Sequence, residues 1–199
     1  MDKNIVKVNI ENIVSRNIRE LREVIESLDS EYIEKTEKIA NIIYKKLSQG
    51  ATIFLCGNGG SASDCQHFSS ELVGKFKNKR KPLRAISLTT DTSILTNIAN
   101  DFSYDLICSR QIEALSKEGD ILFSISTSGE SENIVNAIIK ANELGLETIS
   151  LLGKKGGQAL KISDHNILVP SFVTARIQEI HALTEHIICE LIEEAFGFH

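Results

Sequence analysis

The sequence predicts an α/β protein. It reads as a three-layer sandwich, a five-stranded parallel sheet covered by helices on both faces, with a helical extension at the N-terminus. Three observations carry that prediction. Short apolar runs alternate with longer segments whose apolar residues recur every three or four positions, the pattern of βαβ units. The runs are apolar throughout rather than alternating in polarity, as strands buried on both faces must be. The 199 residues are 42% hydrophobic and 25% charged, enough for one sizeable core and not the composition of a disordered chain.

Residues 1–50 read as a pair of helices. Ile10, Ile13, Val14, Leu21, Val24, Ile25 and Leu28 form one apolar stripe. Asp29 or Ser30 is placed to cap a second helix, in which Ile33, Ile39, Ile42, Ile43 and Leu47 keep the rhythm up to Gly50. Strands are expected at 52–56 (TIFLC), 85–89 (AISLT), 120–125 (DILFSI), 147–152 (ETISLL) and 166–169 (NILV). Helices are expected at 61–75, around 91–99, at 104–116 and 131–144, and from 174 to 195, a stretch without Gly or Pro. No linker, repeat or low-complexity tract divides the chain. Residues 51–199 are therefore taken as one domain to which the helices of 1–50 belong, their apolar faces to be covered by the chain's own sheet or by a partner subunit.

Composition excludes several classes of function. Lys and Arg number 22 against 27 Asp and Glu, a net charge of −5, which disfavours binding nucleic acid through its phosphates. No apolar stretch reaches the ~18 residues of a membrane helix, and residues 1–14 lack the apolar core of a signal peptide, so a cytoplasmic protein is expected. Cys56, Cys65, Cys108 and Cys189 are scattered without a CxxC pair, which points to reduced thiols and rules out zinc-finger spacing.

In a parallel sheet, ligands collect at the carboxyl ends of strands, where loops lead into helix N-termini. Two loops stand out, CGNGGS (56–61) and STSGES (126–131). Their glycines allow close backbone approach, and their hydroxyls and helix amides suit a phosphate. Neither is followed by GK[ST], and the first does not fit GxGxxG, so each also reads as a tight strand–helix turn. His67 and Glu71 share a helix face, and the last helix carries Gln178, His181, Glu185 and His186. These side chains suit an acid–base pair or a divalent metal, or simply a solvated helix face. His165 and His199 have no such company and are expected at the surface.

At these residues the chain resembles the sugar isomerase (SIS) domain superfamily and, within it, the phosphoheptose isomerase family. The resemblance rests on CGNGGSASDCQHFSSELVGKF (56–76), LTTDTSILTNIANDFSYDLICSRQIEAL (88–115), GDILFSISTSGESENIVNAI (119–138) and VPSFVTARIQEIHALTEHIICELIE (169–193). It implies the SIS fold, a flavodoxin-like sheet, and aldose–ketose isomerisation of D-sedoheptulose 7-phosphate to D-glycero-D-manno-heptose 7-phosphate through an enediol. That product feeds heptose biosynthesis for lipopolysaccharide core or capsule. The implied catalytic residues are Glu71 and His186. The implied phosphate contacts are Ser61, Ser126, Thr127, Ser128 and Ser131. Asn58, Gly59, Gly60, Thr90, Asp91, Asp101, Glu71 and Gln178 are implied to line the sugar. One zinc per subunit on His67, Glu71, Gln178 and His186 is also implied, as is a homotetramer with active sites between subunits.

Two positions depart from the family pattern. Glu130 stands where many members have Asn, and Lys75 where they often have Arg, which loses the two-pronged fork. Two rival readings follow from the same resemblance. One is a non-catalytic SIS protein that binds the DnaA replication initiator, whose known representative lacks the Glu and His matched by Glu71 and His186. The other is an isomerase of a different sugar phosphate.

Overall fold

The structure, a computed structural model, describes residues 10–198, with side chains described from Asn12 onward. Helices α1 (Ile10–Glu26) and α2 (Ser30–Ser48) come first, and Asp29 caps α2 by accepting from Tyr32 N at 3.1 Å. The strands are β1 (Ile53–Gly57), β2 (Ala85–Ser87), β3 (Ile121–Ser126), β4 (Glu147–Leu152) and β5 (His165–Leu168). All pair in parallel, in the order β2-β1-β3-β4-β5. The remaining helices are α3 (Gly60–Val73), α4 (Thr92–Asp101), α5 (Ser109–Leu115), α6 (Glu132–Glu143), α7 (Ala159–Ile162) and α8 (Thr174–Ala195).

The two-residue period of the strands divides the core. Ile53, Leu55, Ile121, Phe123, Ile149 and Leu151 pack with Ile43 of α2, Phe68 of α3 and Ile188 of α8. Phe54, Leu122 and Leu152 pack on the other face with Ile112 of α5 and Ile138 of α6. Burying each such side chain contributes about 1.5–3 kcal/mol, which is why these runs carry so little polarity. Asp120, 1% exposed, aligns the strand starts: its carboxylate accepts from Thr52 N at 2.8 Å and Lys117 N at 2.9 Å. With their starts pinned together, β1 and β3 run in register from Ile53↔Ile121 to Gly57↔Ile125 and end side by side.

Some elements differ from the sequence reading. The strand expected to reach residue 89 stops at Ser87: Leu88 N still donates to the Leu55 carbonyl at 2.9 Å, but the chain then turns, the Thr90 hydroxyl closing back on the Ser87 carbonyl at 3.1 Å. The helix expected over 104–116 splits into a 3-10 turn at Tyr104–Leu106, capped by Ser103, and α5. Helix α7 has only four residues, too few to show a period. His165 is not a lone surface residue: its Nε2 meets Glu147 Oε1 at 2.9 Å, and Glu147 also pairs with Lys46 of α2. His199 and the Ile10 side chain lie outside the described residues. No described helix is long and apolar enough to cross a membrane.

Candidate active site

From β1 the chain crosses to β2 on one side of the sheet, and from β3 to β4 on the other, so a crevice opens between the carboxyl ends of β1 and β3. Both singled-out loops lie there. In the second, Ser126 Oγ accepts from Gly129 N at 3.0 Å and Ser128 Oγ from Glu130 N at 3.2 Å. Gly129 (φ +68°) lies so close to the Gly156 carbonyl that no side chain fits. Ala159 N donates to the Gly129 carbonyl at 3.0 Å and holds the turn from behind. Ser131 is the N-cap residue of α6 but its hydroxyl caps no amide. That hydroxyl and the first amides of α6 are the groups an anion needs. The Glu130 carboxyl lies against Gly157.

In the first loop, Gly59 (φ +57°) is the N-cap residue of α3, and Ser61 in its first turn is 4% exposed. Asn58 joins the first loop to the first turn of α6, into which the second loop leads. Its Nδ2 donates to Asn133 Oδ1 at 2.8 Å, Asn133 Nδ2 returns a bond to Asn58 Oδ1 at 2.9 Å, and the Tyr104 hydroxyl adds a third at 2.9 Å. Asn133 and Tyr104 were not singled out from the sequence. A polar residue buried in the first turn of an otherwise apolar helix face is the signal that finds Asn133; nothing in the sequence marks Tyr104.

Thr90, Asp91 and Asp101 are engaged locally. Thr90 bonds the Ser87 carbonyl, Asp91 caps α4 through Ile94 N, and Asp101 accepts from Asn97 and Asn100.

Helices α3 and α8 lie side by side, and there the structure gathers the candidate acid–base groups. His67 Nε2 stands 2.8 Å from His186 Nε2, with ring centroids 5.1 Å apart and edge to face. Glu71 Oε1 is 3.8 Å from His67 Nε2. His67 is 46% and Glu71 21% exposed at the side chain, so the cluster is open to a small molecule.

The same placement tests the implied zinc. Two imidazole nitrogens on one tetrahedral zinc stand about 3.3 Å apart, given bonds of about 2.0–2.1 Å, whereas these two touch. Gln178 lies elsewhere: its amide fills the space beside Gly60, about 12 Å of helix rise from His186. Among the described residues, no three His, Cys, Asp or Glu side chains are grouped to hold a metal ion. The donor types suit zinc, but the set His67, Glu71, Gln178 and His186 is not assembled.

His181 and Glu185 leave the site altogether. Both are fully buried and turned into the core, where His181 Nε2 donates to the Leu152 carbonyl at 3.1 Å. Burial lowers the His181 pKa to about 4, against a smaller raising effect of that bond. Burial, helped by the charge of Asp64, raises Glu185 to about 9. Of their neighbours on α8, His186 meets His67 and Gln178 lies beside Gly60.

Hydroxyl-lined loops at the switch point of a doubly wound parallel sheet, with a His/Glu cluster between α3 and α8, place the chain among α/β proteins whose loops suit an anionic ligand. Residues 17–153 match the SIS domain family. The chain is 47% identical to the phosphoheptose isomerase of Clostridium acetobutylicum, covering 98% of this chain and 97% of that one. It is 45% identical to phosphoheptose isomerase 1 of Campylobacter jejuni, over 93% of this chain and 99% of the relative. The solved phosphoheptose isomerase of Neisseria gonorrhoeae superposes with a TM-score of 0.88 at 37% identity, covering 92% of this chain and 98% of that one. The chain belongs to the SIS domain family and, within it, to the phosphoheptose isomerases.

Proposed function

We propose that this chain is an aldose–ketose isomerase that interconverts D-sedoheptulose 7-phosphate and D-glycero-D-manno-heptose 7-phosphate, for heptose of lipopolysaccharide core or capsule. The observation that carries the reading is the meeting of His186 with His67 and Glu71 between α3 and α8, in a chain of this family. Incubation with sedoheptulose 7-phosphate, followed by NMR, tests it: a new aldose phosphate supports the reading, and unchanged ketose overturns it.

The chemistry moves one proton from C1 to C2 and another from O1 to O2. Glu71 takes the C1 proton, leaving an enediolate, and returns it to C2. His186 gives a proton to O2 as the carbonyl there is reduced to an alcohol, and removes the one on O1 as the new aldehyde forms. Ser61, Ser126, Thr127, Ser128 and Ser131, with the N-terminus of α6, hold the phosphate. Asn58, Gly59, Gly60, Thr90, Asp91, Asp101 and Gln178 line the sugar.

Zinc, one ion per subunit, belongs to the reading on donor type alone. His67, Glu71 and His186 would hold it only once the two imidazoles part from their 2.8 Å contact, and Gln178 would join only by leaving Gly60. Bound there, zinc would supply a Lewis acid for a carbonyl oxygen.

We take the chain as a single domain whose N-terminal helices make subunit contacts in a homotetramer with sites between subunits. Ile13, Val14, Ile18 and Ile25, all exposed on α1, support that assembly. Four buried, unpaired cysteines suit a reducing cytoplasm. The alternative of a non-catalytic DnaA-binding protein is disfavoured, since Glu71 and His186 are both present beside His67.

A further inference from the structure

The acidic net charge of the chain conceals a basic run: residues 75–84 hold six Lys and Arg. Most are exposed, but Arg80 is not. Its side chain is 1% exposed and paired with Glu193 of α8, itself 2% exposed, at 2.8 Å. One oxygen of Glu193 accepts from Arg80 Nε and Phe76 N (3.0 Å), the other from Lys77 N and Asn78 N (3.0 Å each). Burial alone would raise this carboxyl, but the amides and the guanidinium together hold it below the usual range, so it is charged in the fold. Three successive amides on one buried carboxylate fasten the segment after α3 onto α8.

The fastened segment touches the candidate catalytic groups at two points. Arg80 Nη2 donates to the Glu71 carbonyl at 2.6 Å and Nη1 to the Leu72 carbonyl at 2.8 Å, closing the last turn of α3 where Glu71 sits. Phe76, whose amide Glu193 holds, lays its ring on His186, with centroids 5.5 Å apart and planes at 19°. The opposite constraint on that imidazole comes from His67, edge to face. Phe76 and His67 thus restrict the His186 ring from two directions.

We infer that Phe76, Arg80 and Glu193 are positioning residues for the isomerase reaction: the Glu193–Arg80 clasp sets Phe76 against His186 and steadies the helix end that bears Glu71. This rests on the reading of His186 and Glu71 as the proton-transfer pair. None of the three needs to touch substrate. Freeing the ring should therefore slow the chemical step and leave substrate binding largely alone.

Steady-state kinetics on sedoheptulose 7-phosphate test the inference. Phe76→Leu should lower kcat about 10-fold with KM within about 2-fold of wild type, and Phe76→Tyr, which keeps the stacking face, should recover most of that loss. Glu193→Gln places an amide donor among amide donors. It should lower kcat in the same way and speed hydrogen exchange at the amides of 76–78, while exchange on α6 stays as in wild type. Wild-type kcat in Phe76→Leu, an equal loss in Phe76→Tyr, or a change confined to KM would each overturn it. If His186→Ala keeps full activity, the underlying reading fails instead; if His186→Ala is inactive while Phe76→Leu is not, only the positioning role falls.

Discussion

His67 and His186, 119 positions apart in the chain, face each other nitrogen to nitrogen at 2.8 Å. A hydrogen bond of that kind needs one ring to donate and the other to accept. Imidazoles and a carboxylate gathered between two helices are groups suited to proton transfer and also to binding a metal.

Zinc content is therefore the first thing to measure. Protein purified without chelator is expected to carry close to one zinc per subunit by elemental analysis, and chelation is expected to lower its thermal midpoint and its turnover. Metal-free protein with full turnover and an unshifted midpoint would remove zinc and leave the acid–base assignment standing.

The buried pair on α8 predicts an unusual pH profile for stability. Folded Glu185 stays protonated up to about pH 9, whereas in the unfolded chain it ionises above about 4.5, so its contribution is lost as pH rises through that window. Folded His181 stays neutral down to about pH 4, whereas unfolded it takes a proton below about 6.5, so stability is lost as pH falls through that range. The two oppose each other between 4.5 and 6.5 and act singly outside it. Urea unfolding of Glu185→Gln should show a stability gain over wild type that grows from pH 6.5 to 9. A pH-independent difference would contradict the buried-acid account.

Asn133 is predicted to matter although it lies behind the loops. Replacing it with alanine leaves the Asn58 amide without its reciprocal partner, at a cost of about 1–3 kcal/mol, and frees the first loop from the second. KM for the sugar phosphate should rise several-fold, as measured by initial rates. An unchanged KM with unchanged stability would show that the two loops are positioned independently.

Assembly can be tested on α1. Ile18 is 56% exposed in the single chain, and Ile18→Glu is expected to reduce the proposed tetramer to smaller species by light scattering, with loss of activity if the sites lie between subunits. A wild-type protein that scatters as a single chain would dismiss the tetramer.

Much of this was legible in the sequence because the physics was local. The β4 run ETISLL and the Gly- and Pro-free stretch of α8 match their elements end to end, since burial on both faces and uninterrupted helical spacing leave little choice. The two loops were readable from turn chemistry. The burial of His181 and Glu185 was not, because α8 is packed on more than one side and spacing alone does not say which polar residues face inward. His165 escaped for a similar reason, its partner Glu147 lying on the neighbouring strand. The clasp of Arg80 on Glu193 joins residues 113 positions apart, beyond the reach of any local pattern, and the overall charge hid the basic run that contains it.

Turnover of sedoheptulose 7-phosphate by Glu71→Gln and His186→Ala, set against the wild-type enzyme, tests the account most directly. Proton transfer by a positioned group is worth about 10²–10⁴ in rate, so each variant should fold and assemble normally yet lose at least about 100-fold in kcat. Either variant forming the aldose phosphate at the wild-type rate would contradict the assignment.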